Sequence, residues 1–212
     1  VANYFCLFAL LGLPAYGTRE ISKARAYPEL FDRLYSELLL LGGSLSLLAL
    51  GVYALLPVLW PSVASETALH WVFGLTILFN VGKIDWFFQG TENYRYVTIR
   101  NLLVRLATAA AIFLIIQRPE HTLRYGLLWV AGTLITNSWN LGYSLRLSKL
   151  VLGGIRPFRH IKAILPTAAI AMTGALYQSI DTIMLGAMIP DQRYSVGLYS
   201  IAGRVMRIAM TM

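Results

Sequence analysis

Apolar residues run along this chain in long blocks, and polar residues gather in the short stretches between them. A helix needs about 20 mostly apolar residues to cross the hydrocarbon of a bilayer. On that measure the pattern predicts seven membrane helices: the start to about Tyr16, Leu38 to about Trp60, about Thr67 to Phe88, about Asn101 to Gln117, Tyr125 to Leu145, about Ala163 to Ile180, and about Val196 onward. Leu38–Ser65 and Tyr125–Leu145 carry no charge at all, whereas the other blocks are interrupted or short. Pro57 and Pro61 are expected to close the second helix, while Pro14 and Pro166 sit where a missing backbone donor permits a kink. Gly42-Gly43 reads as a close-packing spot and Gly153-Gly154 as a flexible link.

The connecting loops alternate in charge. The first carries Arg19, Lys23, Arg25 and Arg33, the third Lys83, Arg95 and Arg100, and the fifth Arg146, Lys149, Arg156, Arg159 and Lys162. The second has no basic residue, the fourth has Arg118 and Arg124, and the sixth has Arg193 alone. Basic residues accumulate in cytoplasmic loops, so the odd loops are expected on that side. The stretch DWFFQGTENYRYVTIRN, Asp85–Asn101, then falls at a cytoplasmic turn between the third and fourth helices, with Trp86, Phe87 and Phe88 placed as an interfacial aromatic belt.

Composition supports the bilayer as solvent. Apolar residues make up 57% of the chain and charged residues 13%, and mean hydropathy is +0.61. An ordinary soluble domain has roughly 25% charged residues. The net charge of +8 is spread over loops on one face, which fits attraction to anionic lipid headgroups and gives no reason to expect a nucleic-acid partner. The chain starts Val-Ala and ends Met-Thr-Met, both within apolar runs, and is expected to be a fragment cut at each end. A single cysteine, Cys6, excludes an internal disulfide and a cysteine-based zinc site, and is expected to be a small packed or lipid-facing side chain.

Ionisable residues at membrane depth cost several kcal/mol unless they face a cavity, pair or snorkel, so each one is a functional candidate. Lys83 and Asp85 lie near a cytoplasmic helix end, where interfacial anchoring competes with a coupling or gating role. Arg105 lies about 7 Å inside its helix from Arg100 by the 1.5 Å rise per residue, and either lines a cavity or snorkels. Arg204 is about 15 Å from the external loop on the same count, and Arg207, three residues on, shares its face. This pair is expected to present positive charge to a cavity. Asp181 is either a structural carboxylate or a coupling or gating residue. Asn137 and Asn140, one turn apart, are expected to hydrogen-bond between helices, and Gln178 likewise. His70, His121 and His160 fall at helix ends or loops, none at metal-ligand spacing. No P-loop, nucleotide fingerprint, metalloprotease or nucleophile-elbow motif occurs. Neither an enzyme, a metal nor a cofactor is expected.

GLPAYGTREISKAR after the first helix, DWFFQGTENYRYVTIRN at the cytoplasmic turn, and DTIMLG followed by VGLYSIAGR resemble the polysaccharide or O-antigen flippases. These are the Wzx-type members of the multidrug/oligosaccharidyl-lipid/polysaccharide exporter superfamily. The resemblance spans essentially the whole chain. It implies an all-α polytopic membrane protein, about seven helices of a two-lobed transporter of twelve to fourteen, with residues 1–160 forming most of the N-terminal lobe and 161–212 the start of the C-terminal lobe. It further implies a multi-pass protein of the bacterial cytoplasmic membrane that carries undecaprenyl-diphosphate-linked oligosaccharide to the outer leaflet by alternating access, with membrane lipids and other polysaccharide assembly proteins as partners. A diphosphate calls for concentrated positive charge, and Arg204, Arg207 and Arg105 are the candidates to hold it. The competing readings are a cation-coupled multidrug exporter, a lipid II flippase and a membrane-embedded glycan polymerase. A drug exporter would call for acids at depth, where only Asp85 and Asp181 stand. A polymerase would call for a large external loop or a catalytic set, and neither appears. Glycan identity and coupling ion are not legible.

Overall fold

The computed structural model describes residues 2–10, 12–59, 67–117, 122–188, 197–199, 201–203 and 206. Its long elements are α1 (Ala2–Ala9), α2 (Leu13–Ala24), α3 (Pro28–Leu59), α4 (Thr67–Leu78), α5 (Asp85–Gly90), α6 (Tyr94–Ile115), α7 (Thr122–Leu147) and α8 (Ile161–Met188), with 3-10 turns at Phe79–Gly82 and Pro157–His160. No strand occurs among the described residues. Three segments are long and apolar enough to cross a membrane, Pro28–Val58, His70–Gly90 and Tyr94–Ile115. Large apolar side chains such as Leu48, Phe113 and Leu114 are mostly exposed to the surroundings, the inverse of a water-soluble surface. The chain is an all-α polytopic membrane protein.

Two compact units divide at residue 168. In the first, Val1–Ala168, the core gathers Leu13, Tyr16, Ile21, Tyr35, Leu38 and the aromatic run Trp86, Phe87 and Phe88. That run was expected in an interfacial belt, but each of its three rings is essentially inaccessible. The reason is close packing of α5 on α2. A methyl group on Gly17 would stand 2.7 Å from the Trp86 ring, and one on Gly90 would stand 2.7 Å from Ile21, so two glycines admit the indole and let the helices touch. Phe87 then meets Tyr35 with ring centroids 4.8 Å apart, and Phe88 meets Tyr96 at 4.7 Å.

Several expected boundaries shift, and the first expected helix, to about Tyr16, is instead two: α1 ends at Ala9 and α2 runs from Leu13 to Ala24. α3 begins at Pro28, ten residues before the charge-free run. At 1.5 Å per residue those ten residues add about 15 Å to the helix. α6 begins at Tyr94, seven residues before Asn101. The third expected helix is broken: α4 ends at Leu78, a 3-10 turn covers Phe79–Gly82, and the chain resumes as α5 at Asp85. The polar residues of α7 explain how the break is tolerated. Asn137 Nδ2 donates to Phe79 O at 3.0 Å and Asn140 Nδ2 to Gly82 O at 3.2 Å, while Asn80 Nδ2 donates to Cys6 O at 3.0 Å. Broken backbone at membrane depth must find partners inside the protein, and these amides supply them. Gly82 is required because a Cβ there would collide with the Asn137 carbonyl oxygen.

In the second unit, Ala169–Met212, the described residues comprise the remainder of α8 and helical residues at 197–199, 201–203 and 206.

Candidate functional site

The helix break places chemistry against α6 and α7. A cavity of about 470 Å³ opens between them, α1 and the broken segment, and its wall includes Cys6, Asn80, Lys83, Asp85, Arg105 and Asn137. Lys83, Asp85 and Arg105, distant candidates in the sequence, therefore share one wall. Neither Lys83 nor Arg105 makes an ion pair among the described residues. The remaining wall is uncharged, with the hydroxyls of Thr76, Thr108, Thr133 and Thr136 set among apolar side chains. Such a wall suits a ligand with hydrogen-bonding oxygens and negative charge, because its two cations have no ion-pair partner among the described residues.

Asp85 is the one acid in this wall, and it is committed elsewhere. Arg100 Nη2 donates to Asp85 Oδ1 at 2.9 Å and to Asn101 Oδ1 at 2.9 Å, and Asn140 Nδ2 lies 3.5 Å from Asp85 Oδ1. Arg100 is 1% exposed, and no other residue of α6 is fully buried. Its guanidinium carbon lies 5.4 Å from the Tyr96 ring centre, a cation–π distance, while Nε and Nη1 have no protein partner. Sequence reasoning placed Arg100 at the cytoplasmic interface and missed this burial. The spacing of fifteen residues across a turn carries no helical signature that would have paired it with Asp85.

A second polar cluster was also missed. Glu37, whose side chain is wholly buried, accepts from Arg159 Nη2 at 2.7 Å, His160 Nε2 at 2.8 Å, the Arg156 backbone N–H at 2.9 Å and Arg33 Nε at 3.3 Å. Because Glu37 is an acceptor, the proton is assigned to His160 Nε2, and in the neutral ring Nδ1 accepts from the Tyr16 hydroxyl at 2.7 Å. One turn earlier Asp32 accepts from Ser148 Oγ at 2.7 Å and from the Lys149 N–H at 3.0 Å, and the Val151 N–H donates to Ser36 Oγ at 2.8 Å. Positions 32, 33, 36 and 37 form one face of α3. The basic fifth loop is therefore laid along that face and fixed there. The position of Glu37 directly before the charge-free run was the available signal.

Asp181 lies in the second unit, exposed, with the Tyr199 hydroxyl 3.3 Å from its Oδ2. Arg204 and Arg207 lie outside the described residues, as do His121 and the side chain of Gln178. Cys6 is a free thiol 3.8 Å from Thr76 Oγ1. Outside the membrane-spanning segments, burial pulls the Glu20 carboxyl upward, but hydrogen bonds from Lys23 and Arg19 outweigh it and hold the group below the usual carboxylate range.

Residues 1–211 match the family described as "polysaccharide biosynthesis protein". No curated protein and no solved structure matches the chain.

Proposed function

The chain belongs to the polysaccharide biosynthesis protein family, and on that premise we propose that it is a flippase carrying undecaprenyl-diphosphate-linked oligosaccharide from the cytoplasmic to the outer leaflet by alternating access. The coarser role is that of a membrane transporter in polysaccharide biosynthesis. The finer reading rests chiefly on the cavity where Lys83 and Arg105 stand without an opposing carboxylate, Asp85 being bound by Arg100. A diphosphate brings negative charge and several acceptor oxygens, which Arg takes in bidentate fashion and Lys as a point charge. Arg204 and Arg207 are proposed as further cations for the same headgroup, and Asp181 as a coupling or gating residue. Residues 1–160 would make up most of one lobe of the transporter and 161–212 the start of the other, in a bacterial cytoplasmic membrane alongside other polysaccharide assembly proteins.

A cation-coupled drug exporter is the less favoured reading. It needs acids at depth free to take up a cation, and of Asp85 and Asp181 the first is held by Arg100. A lipid II flippase shares the diphosphate chemistry and differs only in the glycan. In cells lacking the native gene, Lys83→Gln/Arg105→Gln should abolish surface polysaccharide while the protein still inserts at normal level. Normal surface polysaccharide from that variant would sink the assignment, and export of a cationic drug by the wild-type protein would favour the alternative.

A further inference from the structure

The hairpin of α6 and α7 separates two spaces of opposite character. On one side is the cavity of Lys83 and Arg105; on the other is a groove of the same volume, about 470 Å³, lined by Leu103, Ala107, Ala111, Ala131, Ile135 and Trp139 and holding no ionisable side chain. Both spaces touch Val104, Thr108 and Gly132. Those three residues are the seam where the helices meet. The partition is one side chain thick: a Cβ on Gly132 would stand 2.8 Å from Thr108 Oγ1.

We propose that this seam is the portal through which the isoprenoid chain of a lipid-linked substrate leaves the cation-lined cavity, and that the apolar groove outside it holds that chain. The inference rests on the proposed transport of a diphosphate-linked lipid, because only such a molecule needs both spaces at once. Its headgroup requires cations and hydroxyls, its chain requires an apolar channel, and the covalent link between them must cross whatever divides the two. No other boundary shared by these spaces exists among the described residues. The seam is also suited to parting. Tyr96, near the start of α6, stacks on Tyr143 of α7 with ring centroids 4.1 Å apart, but no side chain of α6 after Arg100 is buried, so the turns around Thr108 can part while that end stays closed, and segments with few buried contacts open at low cost. The small residues Ala107, Ala111 and Ala131 leave the groove unfilled.

The geometry provides its own lock. The distance from Thr108 Cβ to a Cβ on Gly132 is 3.8 Å, close to the mean of about 3.8 Å in disulfides. In a Cys6→Ala background, Thr108→Cys/Gly132→Cys would be oxidised, loss of free thiol checked, and the protein placed in phospholipid vesicles with a fluorescent undecaprenyl-diphosphate oligosaccharide. The oxidised form should transport about tenfold or more slowly than the same protein after reduction, as for a gate held shut. Equal rates would overturn the portal. Ala131→Phe, which fills the groove from an exposed position, should slow the long-chain substrate more than a short-chain diphosphate analogue; equal slowing would also count against it. A photoreactive residue in place of Ile135 should capture the isoprenoid substrate, whereas one in place of Phe113, outside both linings, should not. Capture of phospholipid alone at Ile135 would assign the groove to bulk lipid and overturn the inference. Free transport through the locked seam, combined with failure of Lys83→Gln/Arg105→Gln, would refute the portal and leave the flippase reading standing. Normal transport by both would remove the two together.

Discussion

Replacing Glu37 by Leu tests whether the buried cluster fixes the fifth loop to α3. The substitution removes four acceptor contacts, at 2.7, 2.8, 2.9 and 3.3 Å. Their costs are unequal. Arg33 and Arg159 have side chains 43% and 45% exposed, so both guanidiniums can turn to water, and each surface-accessible pair contributes at most about 1 kcal/mol. His160 Nε2 has lost its acceptor inside the fold, and an unsatisfied buried donor costs about 1–3 kcal/mol, whereas the N–H of the exposed Arg156 can turn to water. With one such donor, Glu37→Leu should destabilise the protein by about 2 kcal/mol. Glu37→Gln keeps the shape and one acceptor oxygen and should lose about half as much. Reversible unfolding in mixed micelles with increasing SDS, followed by tryptophan fluorescence, measures the difference. Trp86 is buried close to this cluster's helices, which makes it a suitable reporter. A loss below about 0.5 kcal/mol for Glu37→Leu, the ordinary scale of a neutral surface change, would refute the claim that the cluster holds the loop.

Three further outcomes follow from the same contacts. Gly82→Ala should destabilise by about 1–3 kcal/mol through overpacking, since its Cβ meets the Asn137 carbonyl; an unchanged SDS midpoint would contradict the close approach. Asn140→Ala should cost about 1–3 kcal/mol because the Gly82 carbonyl loses its donor, whereas Asn140→Asp, unable to donate when ionised, should rescue nothing in the same assay. The Glu20 carboxyl is held below its usual range, so its contribution is present above the unfolded-state value and lost as pH falls through the lower folded-state value. Its partners Arg19 and Lys23 are mostly exposed, so the loss should stay under about 1 kcal/mol, and Glu20→Gln should flatten that acidic limb of the stability profile.

The long apolar runs made the helices legible, because that signal is local and periodic. Leu38–Ser65, read as charge-free, lies largely within α3, and Asn137 and Asn140 form the expected interhelical hydrogen bonds. The break at Phe79–Ile84 was not visible, because a hydropathy window averages over the two polar residues Asn80 and Lys83. Its stabilising donors lie more than fifty residues away on α7. Trp86–Phe88 misled for a related reason. Aromatics beside charges read as an interfacial belt, and only the methyl-free faces of Gly17 and Gly90, remote in sequence or without pattern, turn them inward. Lys83, Asp85 and Arg105 were each suspect for membrane depth alone. That they share one cavity depends on how α6 and α7 cross the broken helix, a tertiary fact.

The central claim is that Lys83 and Arg105 recognise the diphosphate of a lipid-linked glycan. Its most direct measurement is the flipping rate of a fluorescent undecaprenyl-diphosphate oligosaccharide in phospholipid vesicles, with wild-type protein and with Lys83→Gln/Arg105→Gln at equal protein content. Charge-assisted hydrogen bonds contribute about 1.5–3 kcal/mol each, so losing both predicts a fall of about a hundredfold or more, accompanied by weaker inhibition by free diphosphate. Equal rates, with equal inhibition by diphosphate, would contradict the account.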